Sequence, residues 1–229
     1  MKNAIITGSC SPIGSAVTAL LASEGFNITG WCRCKGFDLK KTDIDFGEIP
    51  ELDAVIHVSE VGPAPLLKIW DAVKSRLIAR KGVFVGLSSV WHLTHDGAYA
   101  ESKREQEALM RDMALWSPHI RVNCLRLGHI AGEKRGSRES PELLGEIPLG
   151  RFGTAQDVAE AVSFIVRSGW MTGSTLTLDG GMSLKLTDAK GWPIKNYPKM
   201  SFVHAIKYPR RFMEYCRFKM VGALFRMLS

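Results

Sequence analysis

Short apolar or β-branched runs alternate with longer helical patterns from residue 3 to residue 181, and this alternation constrains the chain more than any other feature. The strand-like runs are "NAIIT" (3–7), "NITGWCR" (27–33), "DAVIHVS" (53–59), "GVFVGLSS" (82–89), "IRVNCLRL" (120–127) and "STLTLDGG" (174–181). Between them, segments 12–25, 64–80, 98–116 and 154–167 carry apolar residues at helical spacing, as Val17, Leu20 and Leu21 do in the first. Strands that are apolar nearly throughout, each followed by a helix, predict a parallel sheet covered on both faces.

Right-handed crossovers make such a chain a doubly wound, Rossmann-like α/β domain. One crossover departs from the pattern. Too few residues separate the second strand from "FDL" (37–39) for a helix, since a parallel crossover needs at least about ten. The pattern stops near residue 184, so residues 1–183 are expected to form the domain and 184–229 an extension.

Charge follows the same division. Of 30 basic and 23 acidic residues, the last 46 positions hold ten and two. The body is near neutral and the tail is basic, which suggests an anionic partner for the tail alone. From 209 the tail can form a helix with Met213, Cys216, Met220, Ala223, Leu224 and Met227 on one stripe. Docking on its own body or on a second subunit is the expectation, with peripheral attachment of 209–229 to an anionic membrane surface as the alternative. Nucleic-acid binding is not expected, because the basic residues are scattered and no recognition motif is present. No apolar run reaches the ~20 residues of a membrane span. The five cysteines are scattered in sequence, and Cys32 and Cys34 have no second pair or nearby histidine. Reduced thiols, a cytoplasmic location and no metal site are therefore expected.

"TGSCSPIG" (7–14) is the first strand-to-helix turn. Gly8 permits a tight turn, Ser11 can cap the helix, Pro12 suits its first position and Gly14 allows close packing against the sheet. A helix N-terminus there suits a pyrophosphate. Further along, Tyr99 and Lys103 stand four apart at the start of a helix, so they share one face. A tyrosine with a pKa of about 10 is a poor proton donor at neutral pH, and a nearby ammonium favours its phenolate.

With these motifs in order, residues 2–183 resemble the classical short-chain dehydrogenases/reductases. Thr7, Gly8, Ile13 and Gly14 match the family's glycine-rich turn, with Pro12 in place of a glycine. Tyr99, Ser102 and Lys103 match Y-x-x-S-K, "IRVNCLRLGHI" matches I-R-V-N-x-x-x-P-G-x-I, and residues 148–181 match P-L-G-R-x-G…D-V-A…T-G-x-x-L-x-V-D-G-G. The resemblance implies catalysis by Ser89, Tyr99 and Lys103, with Ser88 a competitor for the serine's role. It implies cofactor contacts from Gly8, Ser9, Ile13, Gly14, Asp38, Leu39, Val58, Ser59, Tyr99, Lys103, Gly128 and Ile130. The family's ribose-binding carboxylate falls on Cys32, and Arg33 follows it, with Lys35 an alternative. That combination predicts NADP in preference to NAD.

The implied activity is reduction of a small or carrier-linked carbonyl by a homodimer or homotetramer. Lys134, Arg135 and Arg138 are candidate contacts for an anionic carrier. "HVSE" (57–60) replaces the family's N-N-A-G, and the segment 64–80 lacks the family's asparagine. These departures support a second possibility, a weakly catalytic nucleotide-binding subunit. His57, at a buried strand end without partner ligands, is expected to be a packed or hydrogen-bonded side chain.

Overall fold

A computed structural model describes residues 2–39, 48–58, 62–93, 95–132 and 141–185. The strands are β1 (Lys2–Thr7), β2 (Phe26–Trp31), β3 (Ala54–His57), β4 (Val83–Ser89), β5 (Arg121–Leu127) and β6 (Thr175–Leu178). The helices are α1 (Pro12–Ser23), α2 (Pro63–Arg80), α3 (Ala98–Trp116), α4 (Pro141–Gly145), α5 (Ala155–Arg167) and α6 (Met182–Lys185). All six strands pair in parallel in the order β2-β1-β3-β4-β5-β6. The six strands and four long helices follow the sequence alternation to within a few residues. The expectations for the tail (184–229) lie almost wholly outside the described residues. No helix among those described is long and apolar enough to cross a membrane.

The strand pleat sorts the core. Ala4, Ile6, Ile56, Val83, Val85 and Leu87 face one cluster, together with α1 and α5. Ile5, Val55, Phe84 and Val122 face the other, against α2 and α3. Period-two alternation places neighbouring residues on opposite faces, and both faces are covered. Phe84 is fully buried, and burial of such a side chain stabilises the fold by about 2–3 kcal/mol.

The short stretch after β2 is resolved by packing, without a helix between the strand and "FDL". A single 3-10 turn spans Arg33–Lys35 and ends at Gly36, whose φ of 87° is left-handed. The chain then returns to the sheet. Trp31 stacks on Phe37 with centroids 5.4 Å apart, and Leu39 is buried in the same cluster as Trp31.

Much of the motif-bearing sequence between 121 and 181 proves to be structural. The Arg121 guanidinium donates to the carbonyls of Ile165, Val166 and Ser168, and so closes the C-terminus of α5. Asn123 donates to the Met171 carbonyl and accepts from Ser174 N–H, which fixes the entry to β6. Thr154 and Asp157 form a reciprocal capping box on α5. The Arg151 guanidinium, in a two-pronged pair with Asp157 at 2.7 and 2.8 Å, holds that carboxyl well below the usual carboxylate range.

Candidate active site

In this strand order β1 lies between β2 and β3. Its following helix packs on one face of the sheet, while α2, which follows β3, packs on the other. The crevice outside the carboxyl ends of β1 and β3 is thus the topological switch point, where open α/β sheets bind ligands. Across it Thr7 Oγ1 meets His57 Nδ1 at 2.9 Å. His57 is fully buried, and its Nε2 has no hydrogen-bond partner among the described residues. Burial, reinforced by the charge of Lys103, lowers its pKa to about 3, so it is neutral. It is a packed, hydrogen-bonded histidine as expected, lying within the electrostatic reach of Lys103.

The glycine-rich turn has the geometry of a ligand cradle. Gly8 has φ 67°, and its N–H donates to the Trp31 carbonyl at 2.7 Å. Ser11 caps α1 by accepting from Gly14 N–H at 3.0 Å, and Pro12 takes the first helical position. The expected packing of Gly14 against the sheet is corrected: a Cβ there would meet Ser9 Cα at 2.8 Å, so its partner is the turn itself. The first turn of α1 has no room for a side chain under the turn. Ser9 lies over Gly30, where a Cβ would stand 2.6 Å from its hydroxyl oxygen. Ile13 is fully buried in the core, so only its main chain is left to face a ligand. Val58 and Leu39 are likewise core side chains, in the two different clusters. Ser59 lies outside the described residues, as do Lys134, Arg135 and Arg138. Arg33 and Lys35 are exposed just beyond β2, and Asp38 is half-buried.

The catalytic candidates gather at the end of β4 and the start of α3. Lys103 is buried, and its Nζ lies 5.7 Å from the centre of the Tyr99 ring. Its ammonium donates to Gln106 Oε1 at 3.1 Å, and Gln106 Nε2 donates to the Leu87 carbonyl at 3.0 Å. Gln106 is itself fully buried and so ties the lysine to β4. Sequence reasoning missed this residue, although its position one turn after Lys103 on the same helix face was a legible signal. Ser102 faces the entry to α2: a Cβ on Gly62 would stand 2.9 Å from its hydroxyl. Ser89 is half-buried, and its hydroxyl oxygen accepts from Trp91 N–H at 3.2 Å, which leaves the hydroxyl proton to donate. Ser88, its competitor, is buried on the strand.

A buried ion-pair network supports this floor. Arg126 grips Glu107 at 3.0 and 2.6 Å, and His92 Nε2 is 3.6 Å from the same carboxylate. Burial raises the Glu107 pKa, but the Arg126 hydrogen bond and charge outweigh it and leave the group below its ordinary value. His92 Nδ1 faces the Ser89 carbonyl at 2.5 Å, and a carbonyl only accepts, so that nitrogen carries the proton. Burial lowers the His92 pKa. On the opposite wall Gly128 packs against Asp179, where a Cβ would fall 2.7 Å from its Cα. Ile130 bridges in parallel to Gly153.

The fold also brings together residues that looked unrelated in sequence: the Sγ atoms of Cys10, Cys32 and Cys34 converge beside the glycine-rich turn. Cys32 and Cys34 alone made a poor metal motif, and Cys10 supplies the third sulfur.

A family profile described as enoyl-(acyl carrier protein) reductase matches residues 17–183. Carbonyl reductase family member 4 of Xenopus tropicalis is 29% identical over 143 residues, which is 59% of this chain and 59% of that protein. The chain thus spans about three fifths of the length of this curated relative. 3-Oxoacyl-(acyl-carrier-protein) reductase of Chlamydia trachomatis is 25% identical over 243 residues, 80% of this chain and 97% of that protein. A crystal structure of a small-chain dehydrogenase in complex with NADPH has the same fold, with a TM-score of 0.60, 20% identity, and coverage of 79% of this chain and 98% of that one. The ordered motifs, the six-stranded parallel sheet and the profile match agree that this chain belongs to the short-chain dehydrogenase/reductase family.

Proposed function

We propose that the protein is an NADP(H)-dependent carbonyl reductase acting on ketones, including ketones carried as acyl thioesters. The observation that carries this reading is the Tyr99–Lys103 pair on one face of α3, with Lys103 tied through Gln106 to β4, the strand that Ser89 ends. The names of two relatives, a carbonyl reductase and a 3-oxoacyl-carrier-protein reductase, support the substrate class. The turn formed by Gly8, Ser9, Ile13 and Gly14 holds the pyrophosphate at the N-terminus of α1. Arg33 pairs with the 2′-phosphate, and no carboxylate at the end of β2 opposes it. Asp38 and Leu39 border the adenine, Val58, Gly128 and Ile130 line the remainder of the cleft, and Lys103 holds the nicotinamide ribose.

When bound, the reduced nicotinamide supplies the hydride. The protein's own part is to orient the carbonyl and deliver a proton. Ser89 donates its hydroxyl proton in a hydrogen bond to the carbonyl oxygen. Tyr99 transfers its phenolic proton to that oxygen as charge develops there, and the Lys103 ammonium stabilises the phenolate left behind. Gln106 fixes the ammonium from below. The enzyme acts in the cytoplasm as a homodimer or homotetramer.

A second reading, nucleotide binding with weak turnover, is favoured by His57 and Val58 in place of the family's two asparagines and by the lack of an asparagine in segment 64–80. One experiment separates the two. NADPH and NADH are titrated by fluorescence, and NADPH consumption is then followed with acetoacetyl-thioester and simple ketones. NADPH binding with turnover supports the reductase, binding without turnover the second reading, and binding of neither nucleotide refutes both.

A further inference from the structure

Cys10 is 22 positions from Cys32 and 24 from Cys34, yet the three sulfurs meet at one point. The register explains why. β1 and β2 are parallel neighbours with Thr7 opposite Trp31, so the turn after one strand and the turn after the other leave the sheet side by side. Cys10 lies three residues beyond β1, Cys32 follows β2 directly, and Cys34 is within the 3-10 turn. Each pair of Sγ atoms is 2.6 Å apart. The main chain beneath them is fixed by bonds from Lys35 N–H and Phe37 N–H to the Cys32 carbonyl, at 2.9 and 3.1 Å. Cys32 is buried, while Cys10 and Cys34 are exposed. The triangle has one anchored corner and an open face through which an ion can enter.

Thiol hydrogen bonds are weak and two of these side chains are exposed, so neither hydrogen bonding nor burial accounts for the convergence. No histidine, aspartate or glutamate among the described residues joins the group. A donor set of sulfur alone selects soft cations. An ion with metal–sulfur bonds of about 2.3 Å needs the triangle to widen, and the exposed Cys10 and Cys34 side chains can turn outward to allow it. An arriving cation displaces the thiol protons to solvent as the three sulfurs bind it. No electrons are exchanged.

We propose that Cys10, Cys32 and Cys34 form a three-thiolate site for a soft d10 cation, Zn2+ or Cu+, and that the loaded site excludes the 2′-phosphate of the dinucleotide. The exclusion rests on the NADP reading above, whereas the metal site does not. Three thiolates leave a net charge of −1 around Zn2+ and −2 around Cu+. That charge lies next to Arg33, on the ground where the phosphate would be held, and like charges there oppose binding. Zn2+ completes its four positions with water.

The test uses the full chain, reduced and kept free of oxygen, titrated with Zn2+ against a chromophoric chelator and with Cu+ against a cuprous chelator. One ion per chain is expected. Cys10→Ser, Cys32→Ser and Cys34→Ser should each weaken binding by about tenfold or more, while Cys216→Ser should not. Failure of both ions to compete with the chelators, or affinities untouched by the three substitutions, overturns the site. NADPH is then titrated into zinc-free and zinc-loaded protein, with binding to the loaded form expected to be weaker by about tenfold or more. Equal affinities overturn the exclusion. If zinc-free protein binds no NADPH, the functional reading fails, and the chelator titrations alone still decide the metal site.

Discussion

Replacing Gln106 with methionine isolates the strut beneath the catalytic lysine. The side chain is fully buried and makes two hydrogen bonds, accepting from Lys103 at 3.1 Å and donating to the Leu87 carbonyl at 3.0 Å. Methionine has nearly the same length and fills the space, so the cavity contribution is small. The bond from the ammonium is worth about 1.5–3 kcal/mol and the neutral bond about 0.5–1.5 kcal/mol. The variant should lose about 2–4 kcal/mol of unfolding free energy, read from urea denaturation with an unchanged slope. Gln106→Glu should retain more, since its carboxylate can still accept from Lys103. If Gln106→Met stays within about 0.5 kcal/mol of wild type, the strut does not carry the load assigned to it. In the enzyme, the methionine variant should also shift the pH profile of turnover, because the ammonium beside Tyr99 is no longer held in place. A stability loss with an unchanged profile would make Gln106 purely structural.

Arg33→Ala should weaken NADPH binding by roughly tenfold or more while sparing NADH, measured by nucleotide fluorescence; equal losses would assign Arg33 to structure. Thr154→Ala removes the capping-box hydroxyl of α5 and should cost about 1 kcal/mol, read by thermal or urea unfolding, with no effect on nucleotide affinity. His57 should make the fold acid-sensitive. Its native pKa is lowered to about 3 by burial, so below about pH 6.5 the unfolded chain binds a proton that the native state refuses. Stability should fall as pH drops from 6.5 toward 3, by up to about 1.4 kcal/mol per unit. In His57→Asn that component should vanish from the pH dependence of unfolding free energy.

The sheet was legible because its inner strands β1, β3, β4 and β5 are mostly buried, which makes each a short apolar run set apart from its helices. The short connection after β2 was also legible as an irregularity, but its solution was not. The Trp31–Phe37 stack and the buried Leu39 depend on contacts that no local pattern announces. The block from 148 to 181 gave the strongest family resemblance, yet its Arg151, Thr154 and Asp157 cap a helix and do no chemistry. Arg121 and Asn123 in the "IRVN" stretch are likewise ties between main-chain segments. The Tyr99–Lys103 pair was readable because i and i+4 share a helix face. The cysteine triangle was hidden, because it follows from the pairing register of β1 with β2 and from a turn that brings Cys34 back onto Cys10.

The central claim is that Tyr99 donates the proton. Tyr99→Phe retains the ring beside Lys103 and removes only the phenolic oxygen. NADPH affinity and carbonyl turnover, measured on the same preparation of this variant and of wild type, give the most direct test. The account predicts NADPH binding within a few-fold of wild type and a turnover loss of at least about 10²-fold. Near-native turnover of any accepted carbonyl by the phenylalanine variant would contradict it and reduce Tyr99 to an aromatic side chain at the start of a helix.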